Sequence, residues 1–206
     1  GGLGAGNRPE RGESAALESE EDIRSMLNDG TKMAFITAGM GGGTGTGAAP
    51  IVAKISRDMG ILTVGIVTIP YVFEGRSKLV KALKGVRRMA ENVDSLVVVN
   101  NQDLLGLEEL SVPQANRKAD ETLTIAARSI AEIITTDLEQ NVDFADVDTT
   151  MRNSGVALVS VGLGEGEGRL HLAIEQALQN TLATDKDKIY NAQRVAFVIY
   201  YSHENE

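Results

Sequence analysis

Apolar positions follow two rhythms along this chain. Short, largely apolar runs, Met33–Thr37, Leu62–Val67 and Ser95–Val99, have the length and β-branched content of strands buried on both faces. Between and after them, apolar residues recur at steps of three and four, which predicts helices. One is expected over Glu13–Leu27, with Ala16, Ile23 and Leu27 toward one side. Another is expected from Ile51 to a stop near Gly60, and a third over Glu74–Met89 with Leu79, Leu83, Val86 and Ala90 in register. Pro113 opens a long helix in which Leu123, Ala126, Ala127, Ile130, Ile133 and Ile134 make a continuous apolar face. Further on, the pattern predicts a helix after Asp146, a strand at Val156–Val161, a helix near Leu170–Leu178 and a last strand at Val195–Tyr201. Strand and helix alternate, as in a parallel α/β sheet.

Composition narrows the picture modestly. A chain of 206 residues that is 42% hydrophobic can bury one large core. The net charge of −9 argues against non-specific nucleic-acid binding. With no cysteine there is neither a disulfide nor a thiolate metal site, which fits a cytoplasmic setting. No apolar run approaches bilayer length and no signal-peptide pattern is present, so direct membrane insertion is not expected.

The chemistry concentrates after the first strand. Six of the ten residues from Ala38 to Gly47 are glycine, and the run reaches Pro50 before the predicted helix. Glycines that dense let the backbone approach a ligand and turn several N–H groups toward it. The positive end of the following helix adds to the attraction, so the run reads as a phosphate cradle. A Walker A loop is excluded because its lysine is missing; Lys54 comes a turn or more too late. Gly43-x-Gly45-x-x-Ala48 meets the relaxed dinucleotide fingerprint, but the next strand runs into Thr68-Ile69-Pro70 without the carboxylate that would hold a ribose. Glu74 is the nearest acid.

Four segments together resemble the tubulin/FtsZ family of GTPases, and its FtsZ branch more than its tubulin branch. They are Gly2-Leu3-Gly4-Ala5-Gly6-Asn7-Arg8-Pro9-Glu10, Gly42-Gly43-Thr44-Gly45-Thr46-Gly47, Pro70-Tyr71-Val72-Phe73-Glu74-Gly75 and Asn141-Val142-Asp143-Phe144-Ala145-Asp146. They occur in the family's order and span nearly the whole chain. The resemblance implies a Rossmann-like parallel-sheet GTPase domain over 1–112, a central helix over 113–136 and a second α/β domain over 137–206. Against the family, the first strand and first phosphate loop are missing, as are the last strands and the tail. A fragment truncated at both ends is therefore expected, and it should bind GTP weakly.

The same resemblance assigns roles. Ala5, Gly6, Gly39, Gly41, Gly42, Gly43, Thr44, Gly45, Thr46 and Gly47 would hold the phosphates of GTP or GDP, with Mg2+ accompanying the nucleotide. Glu74 would contact the ribose, beside Lys78 where an arginine is usual. Asn101 and Asp120 would read guanine, and Asn116 replaces the usual stacking aromatic. Asn141, Asp143 and Asp146 would complete GTP hydrolysis on the nucleotide of the next subunit in a head-to-tail filament at the bacterial division site. Other division proteins would bind through the absent tail. The alternative is a divergent assembly or regulatory module that binds nucleotide weakly without hydrolysing it. By itself, Asp143-x-x-Asp146 is also a helix N-terminal cap. The second glycine cluster, Gly162–Gly168, carries Glu165 and Glu167, which would repel an anion, so it reads as a structural turn. His171 and His203 lack metal-like spacing. Arg76, Lys78, Lys81, Lys84, Arg87 and Arg88 read as a solvated basic face.

Overall fold

The computed structural model describes residues 4–104, 111–136, 143–179 and 192–201. Its elements, in order, are α1 (Pro9–Glu18), α2 (Glu20–Leu27), β1 (Met33–Gly39), α3 (Thr44–Asp58), β2 (Leu62–Ile69) and α4 (Arg76–Asn92). Then come β3 (Ser95–Asn100), α5 (Asn101–Leu104), α6 (Val112–Thr135), α7 (Phe144–Met151), β4 (Gly155–Val156) and α8 (Arg169–Gln179). The four strands form one parallel sheet in the order β1-β2-β3-β4. Met33 pairs with Leu62 and Gly39 with Thr68, so β1 and β2 end together.

Strand alternation splits the core into two faces. Val67 and Leu96 join Ala49 and Ala53 of α3 and Ala82 and Met89 of α4 on one side. Leu62, Val64, Ile66, Val97 and Val99 meet Ala126 and Ile130 of α6 and Val147 of α7 on the other. The apolar face expected of the long helix is therefore the surface that covers the sheet. Ser111 and Gln114 close its N-terminus in a capping box, with the Ser111 N–H donating to Gln114 Oε1 at 2.9 Å. Among the described residues no helix is long and apolar enough to cross a membrane.

Several expectations need correction. The acidic helix is two helices that meet at Ser19: α1 buries Gly12 and Ala16, whereas α2 buries nothing. α3 begins at Thr44 rather than Ile51 and contains Pro50. Its glycines hide a helix from sequence patterning because tertiary contact, not propensity, holds that turn. On α4 the buried stripe is Ala82, Gly85 and Met89, and Leu83 and Ala90 are exposed. At Ala82 and Gly85 close approach to neighbouring segments selects small side chains over large ones. Of the strand expected over Val156–Val161 only Val156, with Gly155 before it, pairs with β3, extended by one bond from the Ala157 N–H to the Leu96 carbonyl. Val195–Tyr201 pairs with no described strand and lies exposed, since a strand exists only where a neighbour takes up its hydrogen bonds.

The second glycine cluster is indeed a packing feature. A Cβ on Gly162 or Gly164 would stand 1.9 Å from the Ala173 or Arg169 carbonyl of α8. The basic face of α4 is not simply solvated: Arg88 holds Glu13 of α1 at 2.8 and 3.0 Å, and Lys81 Nζ donates to the Asn7 carbonyl at 3.2 Å.

Candidate functional site

All three long strands end at one rim, and the glycine run follows the first of them. The Met40 N–H still donates to the Thr68 carbonyl at 2.9 Å, so the loop leaves the sheet at Gly41. Gly41 has φ +102, and a Cβ there would also strike Lys78 Cγ at 2.8 Å. Both observations require glycine.

The other glycines divide into two kinds. Gly43, Gly45 and Gly47 are filled from inside the protein. A Cβ would lie 2.7 Å from Ala5 Cβ at Gly43, 2.3 Å from the Gly39 carbonyl at Gly45 and 1.9 Å from the Pro9 carbonyl at Gly47. Gly12 of α1 makes the reciprocal approach, 2.6 Å from the Gly43 carbonyl. Gly42 differs, because nothing lies within 4 Å of its Cβ position. The open space of the loop is therefore at Gly42, beside the exposed Thr44.

The two threonines also part company. Thr46 is buried and its Oγ1 accepts the Gly41 N–H at 2.8 Å, fixing the loop from beneath. Thr44 opens α3, whose first turn has no side-chain cap. The Thr44, Gly45 and Thr46 amides are thus the donors of an uncapped helix end, suited to an anion. Ala5 and Gly6 sit in a turn closed by the Arg8 N–H on the Ala5 carbonyl at 3.1 Å, with Gly6 and Asn7 at φ +57 and +59. That turn packs on Gly43, so the two segments read as phosphate loops are neighbours.

Beyond them, Glu74 accepts the Tyr71 N–H at 2.9 Å and pairs with Lys78, whose stem lies over Gly41. Tyr71 is buried and its hydroxyl donates to the Ala115 carbonyl of α6 at 2.6 Å. Burial raises its pKa, and the Glu74 and Asp120 carboxylates add to the rise. Asp120 is thereby placed on the same rim, exposed on α6. Asn101 starts α5 directly after β3; it is buried, and its Oδ1 has no hydrogen-bond partner. A buried, unsatisfied carbonyl costs roughly 1–3 kcal/mol and suits a ligand N–H. The open Gly42, the uncapped turn and this orphaned acceptor together fit a nucleotide: anion at one end, hydrogen-bonding base at the other.

Asp143 and Asp146 lie elsewhere. Asp143 caps α7, accepting the Asp146 N–H at 3.0 Å, while Asp146 Oδ2 accepts the Asp143 N–H at 3.2 Å. Both are exposed, and the capping geometry is real. The Phe144 ring centroid lies 5.9 Å from Lys32 Nζ, just before β1, and Val147 belongs to the same core cluster as Leu62 at the start of β2. The acids therefore occupy the rim where strands begin, opposite the glycine loop. Asn141 and His203 fall outside the described residues. Sequence reasoning missed Gly12 and Gly85, and it placed Tyr71 in a motif without a role; only the contacts of the folded chain single them out.

Residues 1–109 match the family model described as "Tubulin/FtsZ family, GTPase domain". The chain is 54% identical over 206 residues to the Cell division protein FtsZ of Porphyromonas gingivalis, covering 99% of this chain and 45% of that protein. It is 42% identical over 205 residues to the Aquifex aeolicus protein of the same name, covering 98% and 55%. In three dimensions it is similar to a solved "FtsZ dimer, empty" from M. jannaschii, with TM-score 0.82, 44% identity, and 87% of this chain and 52% of that one covered. The chain spans about half the length of these relatives.

Proposed function

The chain belongs to the tubulin/FtsZ family of GTPases, and from that premise we propose that the protein of which it forms part is a GTPase assembling head to tail. Its setting would be the cytoplasmic division site, where such filaments organise the septum. In this reading residues 1–112 form the nucleotide half, 113–136 the central helix and 137–206 part of a second domain.

One observation carries the proposal: the glycine rim and the acid pair stand at opposite ends of one parallel sheet. Eight residues of β2 separate them, about 26 Å of extended chain. A single copy cannot bring Asp143 to its own glycine loop, whereas a second copy stacked along the strand direction can. The Thr44, Gly45 and Thr46 amides and Gly42 take the phosphates of GTP, supported by the Ala5–Gly6 turn. Glu74, with Lys78, takes the ribose, and Asn101 and Asp120 take the guanine edge. Asp143 and Asp146 of the neighbouring copy, with Asn141, then orient and polarise the attacking water. Mg2+ bound with the nucleotide would neutralise phosphate charge.

The test is GTP turnover against concentration of the whole protein, beside an Asp143→Ala variant. A rate per subunit that climbs above a threshold concentration and vanishes in the variant supports catalysis between subunits. Turnover independent of concentration would overturn it. Nucleotide bound without turnover would favour a non-hydrolytic module.

A further inference from the structure

At the base of the sheet lies a charged network that neither the nucleotide rim nor the apolar core uses. Asp94, immediately before β3, is 2% exposed at its side chain. It accepts the Thr63 N–H at 2.9 Å and the Asn153 N–H at 3.4 Å, with Arg57 Nε at 3.6 Å and Arg152 Nη1 at 3.8 Å. Arg152 directly follows α7. Its Nε reaches both Asp148 oxygens at 2.9 and 3.1 Å, and its Nη2 donates to Asp148 at 2.6 Å and to the Gly60 carbonyl at 3.4 Å. Asn153, at φ +52, accepts from Arg57 Nη2 at 2.6 Å.

We infer that Arg152 is a positioning residue for the acid pair, acting by anchoring the far end of α7. The inference rests on the proposed role of Asp143 and Asp146. α7 has eight residues, about 12 Å of helix, too short to be stable alone. Its apolar stripe of Phe144, Val147 and Met151 packs on the core, and only Val147 is fully buried. A short helix whose end contacts are only partly buried can tilt about its buried middle, and a tilt swings the tip that bears both acids. Arg152 supplies a polar tie at the far end. Its side chain bridges the helix, through Asp148, to the buried Asp94 of the sheet and to the α3–β2 turn at Gly60, beside the ties that Asn153 makes to Asp94 and Arg57. Arg194 adds support by donating to the Thr149 and Arg152 carbonyls at 3.0 and 3.1 Å. Misplacement of a catalytic group by 1 Å can lower a rate by on the order of a hundredfold, so this anchor acts on turnover through geometry alone. A lysine keeps the charge but cannot serve several acceptors in one plane.

The test compares Arg152→Met and Arg152→Lys in the whole protein, with Arg24→Met as a control that removes an ion pair within α2. The expected result for Arg152→Met is a roughly tenfold or greater loss of turnover per assembled subunit. GTP affinity of dilute protein and the assembly threshold should stay within about twofold of wild type. Amide exchange in nucleotide-free protein should rise at residues 143–147 and not in β2, with Arg152→Lys intermediate and Arg24→Met silent. Unchanged turnover and exchange would overturn the inference. So would exchange rising equally through β2 and β3, the mark of general destabilisation. If the wild type itself shows no concentration-dependent turnover, the functional reading fails, and local exchange at 143–147 still decides whether Arg152 anchors the helix.

Discussion

The two rims of the sheet are built by different physics. At the glycine rim the fixing contacts are between backbones: α1 and α3 touch through Gly12, Gly43 and Gly47, where no side chain fits. At the acid rim they are between charged side chains: Arg57 and Arg152 converge on Asp94, and the cap of α7 is two carboxylates. Backbone contact fixes amide directions closely and tolerates no added atom. A side-chain network tolerates replacement, because guanidinium groups that are a third exposed can return to water. The first construction suits a binding cradle and the second suits a part that must meet another molecule.

The sharpest way to break the contrast is Gly47→Ala. Its methyl would sit 1.9 Å from the Pro9 carbonyl, so α1 must move off α3. Overpacking against backbone should cost more than about 3 kcal/mol, read as a large fall in the urea midpoint. A near-neutral result would mean that the two helices are not locked.

At the other rim, Asp94→Asn should cost about 2 kcal/mol, the value of charged hydrogen bonds lost with partly solvated partners. The loss should appear in the same denaturation measurement. A cost equal to that of Gly47→Ala would erase the difference between the rims.

Tyr71→Phe removes the hydroxyl that ties the glycine rim to α6 and should cost about 1 kcal/mol at neutral pH. The folded-state pKa of Tyr71 lies above its ordinary 10.0, so the neutral phenol's contribution is complete below that pH. The contribution is lost as pH rises through the folded value. The stability gap between wild type and variant should therefore be constant to about pH 10 and shrink above it. A gap that widens with alkalinity would show that the hydroxyl is not buried as described.

Smallest in stability is Gly42→Ala, expected within about 0.5 kcal/mol of wild type because the methyl meets nothing. GTP affinity of the whole protein should nevertheless fall several-fold, measured by calorimetry, if that opening holds phosphate. Unchanged affinity would move the phosphates away from Gly42.

Much of this was legible along the chain. Largely apolar runs located β1, β2 and β3, because strands covered on both faces need no polar alternation. The three- and four-residue spacing of Leu123, Ala126 and Ile130 located α6 for the same reason. Periodicity failed at α3, where glycines supply no hydrophobic signal. It also failed on α4, where the contact stripe runs through Gly85. A Cβ there would meet Met40 Sδ and Thr46 Cγ2, both at 2.8 Å, a constraint that no single-residue property carries. Val195–Tyr201 shows the opposite error: strand composition without a described partner strand.

The sequence by itself determined which chemistry is available: a glycine-rich turn that can present amides, and two carboxylates three residues apart at a helix start. Local rules suffice for that, since turns and caps are decided within a few residues. Only the tertiary structure decided where those parts stand. Parallel strand order sends the glycine loop, Tyr71 and Asn101 to one rim, and the packing of α7, with Phe144 beside Lys32 and Val147 in the core, sends Asp143 and Asp146 to the other. Such placement depends on contacts between residues more than 90 positions apart, as Arg57–Asn153 and Gly60–Arg152 are, and local patterning holds no record of them.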